Sequence, residues 1–82
     1  IVMNTVTFNF KLDVEDVCYV IIKYKIMKCR VREVWINYKK GQGERLCIEY
    51  CLVDKSGCPY GVFPENEVFA TKEELIRHIE SI

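Results

Sequence analysis

Apolar and polar residues alternate along the start of the chain. Between residues 4 and 12, Val6, Phe8, Phe10 and Leu12 share one side of an extended backbone, and polar residues occupy the other. A period of two residues predicts a half-buried β-strand. The acidic stretch at residues 13–16 breaks the alternation and is predicted to end this strand.

Later apolar segments predict four more strands, at residues 17–24, 28–38, 45–53 and 60–63. A tight turn is expected at residues 25–27, a glycine-containing loop at 39–44 and a further turn at 54–57. In the segment 28–38, Val31 has one parity, whereas Val34 and Ile36 have the other. This change of phase predicts a β-bulge, which bends and twists a strand.

The C-terminal residues 71–82 have the pattern of an amphipathic helix. Thr71 and Glu74 have the spacing of a capping box, in which the threonine side chain accepts a hydrogen bond from the Glu74 amide. An apolar stripe then recurs at helical spacing and is predicted to face a core. Its members are Leu75, Ile76, Ile79 and Ile82.

The order of these elements predicts the fold class. It is mostly β with one helix: a small five-stranded antiparallel barrel plus a C-terminal α-helix, because short antiparallel strands protect their edges by curling or by covering them. The 82 residues suffice for one domain with a thin core, which we expect to span residues 4–82. Ile1 and Val2 precede Met3, and we expect them to be an expression remnant or to follow an upstream start.

Composition favours a globular intracellular protein. Half of the residues are hydrophobic and 29% are charged. No apolar run approaches the roughly 20 residues that span a bilayer, and no secretion signal is recognised at the N-terminus, so no membrane association is expected.

The five cysteines, at positions 18, 29, 47, 51 and 58, are odd in number and lack a compact spacing pattern. They predict free thiols in a reducing compartment, by default the cytoplasm.

Charge is distributed unevenly along the chain, although the formal net charge is zero. Residues 1–22 have a net charge of −2, residues 23–45 of +6 and residues 46–82 of −4. The middle third is therefore basic, and a charge asymmetry of this kind can indicate an interaction surface.

Four segments of the chain resemble the small Src-homology-3-like barrels, the group that includes the Tudor and KOW folds. The segments are DVCYVI, KCRVREVWINY, LCIEYCLVD and GVFPENEVFATKEELIRHI. The last also resembles a recurrent ending, F-x-E-x-x-V-F-x-T-x-E-E-L, of small uncharacterised barrel proteins of bacteria and their phages, here running from Phe63 to Leu75. The resemblance covers about residues 14–82 and implies a barrel fold and an interaction role, with no catalytic residue to carry over. At Cys29 such sequences more often have glycine.

The cysteines and the single histidine, His78, do not form a convincing metal site. If Cys47 and Cys51 lie on one strand, their Cα atoms are about 13 Å apart, whereas two thiolates on one zinc ion are only about 4 Å apart. We therefore expect no metal and no cofactor. Cys58, in a turn between Gly57 and Pro59, is the thiol most accessible to a substrate, and a cysteine-dependent enzyme is the least favoured of three hypotheses.

The carboxylates and glycines also have structural explanations. Glu73 and Glu74 suit a helix start, where the helix dipole favours negative charge. A phosphate-binding loop must precede a helix, whereas Gly41 and Gly43 precede a predicted strand. We expect a non-catalytic protein.

The candidate binding residues lie around the predicted turn at residues 25–27 and on the strand that follows it. Cations next to aromatic side chains can hold phosphates and stack bases, but they also occur on solvated strand faces that resist aggregation. An outward-facing Trp35 could anchor a protein interface. The candidates are Lys23, Tyr24, Lys25, Lys28, Arg30, Arg32 and Trp35. A Tudor-type aromatic cage built from Tyr19, Tyr38, Tyr50 and Tyr60 is a further possibility, although core packing also accounts for these residues.

These candidate residues support two functional hypotheses. The first is a protein-interaction module, an accessory protein of a phage or mobile element, that binds an unidentified protein partner. The alternative is a small nucleic-acid-binding barrel that uses the basic hairpin 23–32. The oligomeric state is left open.

Overall fold

The computed structural model describes residues 9–39 and 45–82. These residues form a four-stranded antiparallel sheet in the order β1-β2-β3-β4. The elements are β1 (Val17–Ile22), β2 (Lys25–Lys39), β3 (Arg45–Val53), β4 (Pro59–Pro64), a single 3₁₀ turn (Glu65–Glu67) and helix α1 (Lys72–Glu80). The prediction of a mostly-β chain with a C-terminal helix is confirmed. A fifth strand and closure into a barrel are not shown by the described residues.

The opening segment differs from the predicted strand where it can be compared. Residues 4–8 lie outside the described residues, and Asn9–Leu12 are irregular, with a bend at Lys11 and Leu12, so the C-terminal end of the predicted strand is wrong. The backbone N–H of Lys11 donates to Glu65 Oε2 and that of Leu12 donates to the Tyr50 hydroxyl. Side chains thus satisfy the backbone donors that a strand neighbour would otherwise satisfy.

The first hairpin turns two residues earlier than predicted. β1 ends at Ile22, which pairs with Lys25, so Lys23 and Tyr24 alone form the turn and the predicted turn at residues 25–27 is wrong. Both turn residues have positive φ, 51° and 66°. Two consecutive left-handed residues define a type I′ turn, whose twist suits a tight hairpin. Asn and Gly usually fill these positions, and their absence concealed the turn in the sequence.

The predicted bulge in the long strand is confirmed. Val31 pairs with Leu52 and Glu33 pairs with Cys51, so Arg32 is the extra residue in β2. Beyond the bulge, Val34 and Ile36 pair with Tyr50 and Ile48 and lie on the side of the sheet that carries the core. The bulge therefore reconciles the two apolar parities of this strand.

The predicted strands 45–53 and 60–63 correspond to β3 and β4. Between them, Asp54 Oδ1 accepts hydrogen bonds from the backbone N–H groups of Ser56 (2.8 Å) and Cys58 (2.9 Å). Gly57 completes this turn with φ of 89°. Of the predicted loop 39–44, Lys39 belongs to β2, and residues 40–44 lie outside the described residues.

The core lies on one face of the sheet and extends to the segment that follows β4. Its buried members are Leu12, Cys18, Val20, Cys29, Val31, Tyr50, Leu52 and Val68. The Tyr50 hydroxyl donates to Glu65 Oε2 at 2.5 Å, which connects β3 to the 3₁₀ turn. The Lys11 ammonium donates to the Val68 carbonyl and lies over the Phe69 ring, 4.5 Å from its centroid. These contacts fix the opening segment against the end of the sheet.

Helix α1 begins as predicted, with the Thr71 hydroxyl accepting from the Glu74 amide at 3.2 Å. Its apolar stripe is only partly covered, which corrects the prediction. Leu75 is buried, whereas Ile76 and Ile79 are exposed and Ile82 is 93% exposed. Leu75, in the first turn, is the one buried residue of α1. No helix within the described residues has the length and apolar character needed to cross a membrane.

Candidate functional site

The structure places the seven predicted binding residues in four separate regions: at the hairpin tip, farther along β2, at the bulge and beyond the bulge. Lys23 and Tyr24 form the hairpin tip, where Tyr24 projects fully into solvent, and Lys25 is the first residue of β2. By strand alternation, Lys25 shares a side with the core residues Met27 and Cys29, whereas Lys28 and Arg30 face the opposite side. The basic hairpin is thus not one continuous surface.

Lys28 and Arg30 border a cleft that the sequence analysis did not identify. We call it the basic cleft; its volume is about 490 Å³. The other polar side chains in its wall come from the β3–β4 turn and the start of β4: Asp54, Lys55, Ser56 and Tyr60. Arg30 pairs with both Val17 and Val53, so the turn after β3 lies next to the open end of the first hairpin. Lys55 could have been found from the sequence by following this meander, since the residues after strand 45–53 must return beside residue 30.

The cations of the basic cleft are incompletely paired. Arg30 Nε lies 3.3 Å from Glu15 Oε2, in an ion pair whose side chains are 42% and 69% exposed. Ion pairs this exposed contribute little to stability. Within the described residues, Lys28 and Lys55 form no salt bridge, and the Asp54 carboxylate is engaged by the backbone of its own turn.

Trp35 lies beyond the bulge, on the face of the sheet opposite the core. Its side chain is 43% exposed, and its indole N–H donates to Glu33 Oε2 at 2.7 Å. Across the sheet, Trp35 pairs with Glu49, which in turn pairs with Pro64. The adjacent row joins Glu33, Cys51 and Val62. We call this set of six residues the Trp35 surface.

The Trp35 surface carries no cation. Its charged members are Glu33 and Glu49, and Glu49 Oε1 also accepts a hydrogen bond from the Asn37 side chain. Arg32 is exposed at the bulge and does not line the basic cleft. The tryptophan and the basic residues that the sequence analysis grouped together thus belong to surfaces of opposite charge.

The five cysteines range from fully buried to exposed. Cys18 and Cys29 pair directly across the first hairpin inside the core. Burial raises the pKa of Cys18 to about 12 and that of Cys29 to about 11. These two thiols are therefore protonated and unreactive at neutral pH. Cys47 and Cys51 are partly exposed, and Cys58 is exposed, as predicted.

Cys47 and Cys51 lie on the same strand, four residues apart, as the zinc argument assumed. Their Cα atoms are consequently about 13 Å apart, too far for one tetrahedral ion. Within the described residues, no three Cys, His, Asp or Glu side chains are grouped as metal ligands would be. His78 packs its ring on Phe69, with 5.0 Å between centroids.

The aromatic cage lacks one of its proposed walls. Tyr50 is fully buried, and its hydroxyl is bonded to Glu65. Tyr19 and Tyr60 are half-buried, and the side chain of Tyr38 lies outside the described residues. Tyr50 is thus a core residue and is inaccessible to a methylated side chain.

A second, smaller pocket of about 200 Å³ lies between α1 and the sheet. Its lining is largely apolar and includes Ile21, Phe63, Leu75 and Ile79. Leu75 is buried here, whereas Ile79 and Ile82 line the pocket but are exposed.

Comparison of the chain with models of protein families, with curated proteins and with solved structures gives no match in any of the three.

Proposed function

We propose that this protein is a non-catalytic protein-interaction module that binds its partner through the Trp35 surface. The observation that carries the proposal is the exposed indole ring of Trp35, which is held in place by its hydrogen bond to Glu33. Tryptophan is enriched at the energetic centres of protein interfaces, where it supplies a large and rigid contact area. The flanking carboxylates favour a partner whose contact surface combines apolar and basic side chains.

The alternative, binding of nucleic acid through the hairpin 23–32, has weaker support. The Trp35 surface presents carboxylates, which repel phosphates, so its indole is poorly placed to stack a base beside a nucleic-acid backbone. The cations of this segment divide among the hairpin tip, the basic cleft and the bulge, where Arg32 lies outside the cleft. An extended polyanion would find no continuous basic track in this arrangement.

A non-catalytic role is consistent with the environment of the candidate nucleophile. A cysteine nucleophile needs a base within hydrogen-bond reach. The imidazole of His78, the only histidine of the chain, instead packs on Phe69. A phage or mobile-element origin and a cytoplasmic location remain part of the proposal through the resemblance of the C-terminal segment.

A small Src-homology-3-like barrel is the fold that we propose for this module. Its support is a pair of backbone hydrogen bonds in which Tyr19 and Phe69 each donate to the other's carbonyl, at 2.8 and 3.0 Å. Phe69 follows β4 and the 3₁₀ turn, so these bonds lead the chain from the last strand back to the first. A bridge of this kind covers an exposed sheet edge, as barrel closure does.

Replacing Trp35 with alanine tests the function. We expect Trp35→Ala to reduce capture of the partner by tenfold or more, since removing an interface tryptophan commonly costs about 2 kcal/mol or more. The measurement is affinity purification from the source organism with wild-type and variant baits, followed by quantitative mass spectrometry. Because Trp35 is exposed, the thermal midpoint should change little.

Ile36→Ala is the matched control. Ile36 is the next residue on the same strand and is 40% exposed, but it points to the other face of the sheet. This variant should retain the partner. Equal retention by wild-type and Trp35→Ala baits, or equal loss from both variants, would contradict a role for the Trp35 surface.

A further inference from the structure

We propose that the basic cleft binds a phosphate group carried on a peptide, such as a phosphorylated serine side chain. This site is separate from the Trp35 surface and does not depend on the function proposed above. Lys28 and Arg30 come from β2 and Lys55 from the β3–β4 turn, so two distant segments converge on one cleft. Convergence of cations from separate elements is the arrangement that recognises a phosphorylated residue.

The charge of the basic cleft matches a phosphate dianion. Three cationic side chains and the carboxylate of Asp54 line it, which leaves two positive charges once Arg30 is released from its ion pair with Glu15. A phosphorylated side chain carries about −1.5 to −2 charges at neutral pH and three strong acceptor oxygens. A carboxylate brings only one negative charge and would leave the cleft cationic. The hydroxyl groups of Ser56 and Tyr60 add neutral donors to the same wall.

The basic cleft has more room than one phosphate ion needs, and part of its wall is apolar. Val17 and the half-buried ring of Tyr60 supply this part, next to the cations. A phosphate attached to a peptide fills both regions, with the anion at the cations and a neighbouring side chain on Val17 and Tyr60. An inorganic phosphate ion would occupy only the polar region.

The surroundings of the cleft favour an isolated phosphate over a nucleic acid. Glu15 lies at Arg30, and the Asp16 carbonyl accepts from the Val31 N–H, which places Asp16 beside the same part of β2. A polyanion that extended beyond the cleft would meet the carboxylates of both residues, whereas a single phosphate at Arg30 would meet only that of Glu15. Glu15 competes with the ligand for Arg30, so its removal should strengthen binding.

Titration of the ¹⁵N-labelled protein with a short phosphoserine peptide tests the proposal. We expect saturable NMR shifts at the amides of Lys28, Arg30, Lys55 and Ser56. The same peptide with unmodified serine should bind at least tenfold more weakly. Inorganic phosphate alone and a 20-residue oligothymidylate are the two further probes, and both should bind more weakly than the phosphopeptide at 150 mM salt.

Three substitutions separate the cleft from general basicity. Lys55→Glu should weaken phosphopeptide binding by tenfold or more, and Glu15→Gln should strengthen it by about two- to threefold. Lys23→Glu makes the same charge change at the hairpin tip, outside the cleft, and should alter affinity by less than twofold. Because Lys55 is exposed, we expect the Lys55→Glu variant to fold, and a dispersed ¹H–¹⁵N spectrum verifies this. Lys55→Gln removes the positive charge without adding a negative one and provides a milder test.

Several results would overturn the proposal. Equal losses in Lys23→Glu and Lys55→Glu would indicate non-specific attraction. Equal binding of the serine and phosphoserine peptides would exclude phosphate recognition. If the oligothymidylate bound more tightly than the phosphopeptide, the cleft would be a nucleic-acid site. If inorganic phosphate bound as tightly as the phosphopeptide, the cleft would not recognise the peptide. Trp35→Ala should leave this binding unchanged, so failure here and failure of the proposed function are distinguishable.

Discussion

At the scale of single residues, Tyr50 combines a buried ring with two hydrogen bonds at its hydroxyl. Its ring is in the core, its hydroxyl donates to Glu65, and the Leu12 N–H donates to that hydroxyl at 3.1 Å. One side chain therefore connects β3, the opening segment and the 3₁₀ turn. The sequence correctly predicted that Tyr50 lies on a strand, but the partners of its hydroxyl are distant in sequence and no local pattern indicates them.

We expect Tyr50→Phe to lower the free energy of unfolding by about 1–3 kcal/mol, because it leaves the buried Leu12 N–H without its acceptor. Urea unfolding followed by fluorescence measures the change. Tyr24→Phe is the matched control, since Tyr24 is fully exposed and the same substitution there should have almost no effect. A loss of similar size in both variants would contradict the role assigned to the Tyr50 hydroxyl.

The same residue should affect stability at alkaline pH. Burial, together with the hydrogen bond to Glu65, raises the pKa of Tyr50 from 10 to about 12. Because the folded pKa exceeds the unfolded one, this contribution to stability is complete below pH 10 and is lost as the pH rises through 12. The alkaline fall in stability should therefore be shallower in Tyr50→Phe than in the wild type.

At the scale of elements, the hairpin tip combines regular pairing with unfavourable turn residues. Lys23 and Tyr24 both have left-handed backbones, which is costly for residues with a Cβ. The sequence predicted the two strands because their apolar residues are characteristic of strands. It misplaced the turn because lysine and tyrosine carry no turn signal. Unusual backbone conformations are often retained where a side chain has a function, and Tyr24 is the most exposed aromatic residue described.

Replacing both tip residues with the usual pair, Lys23→Asn with Tyr24→Gly, should raise the free energy of unfolding by about 1–2 kcal/mol. Chemical denaturation checks this increase. Gly57→Ala provides the reverse change, since Gly57 has φ of 89° and open space around it, so only backbone strain should lower the stability. Unchanged or reduced stability of the Asn-Gly variant would show that the tip is not strained.

The bulge in β2 shows what an element-scale pattern can and cannot reveal. The parity change between Val31 and Val34 predicted it, and it accounts for the outward orientation of Trp35. The charges around Trp35 were not predictable in the same way. Glu49 and Cys51 become its neighbours only through the register of β3 against β2, which depends on the bulge position. Lys55, by contrast, could have been placed near Arg30, because the residues after strand 45–53 must return beside it.

At the scale of the whole molecule, most positions of the motif that runs from Phe63 to Leu75 make contacts that stabilise the fold. Glu65 accepts from Tyr50, Val68 is buried, Phe69 bonds to Tyr19, and Thr71 caps α1. These contacts give the residues 63–75 a role in folding. They also explain why the sequence predicted the helix start better than the covering of its stripe, which depends on the sheet.

Hydrogen exchange tests the bridge between the two ends of the sheet. The amide of Tyr19 should be protected from exchange, because it donates to Phe69 at 2.8 Å. Ile21 is the internal control: its amide points to the same side of β1, and no described backbone group accepts from it. Exchange at Tyr19 as fast as at Ile21 would indicate that β1 is an open edge in solution.

The graded burial of the cysteines has a practical consequence for experiments on this protein. Cys18 and Cys29 are enclosed and protonated, whereas Cys58 is exposed at the end of the β3–β4 turn. A maleimide dye added at neutral pH will therefore attach first at Cys58 and last at the enclosed pair. The native chain thus offers a position for a fluorophore beside the basic cleft without any engineered cysteine.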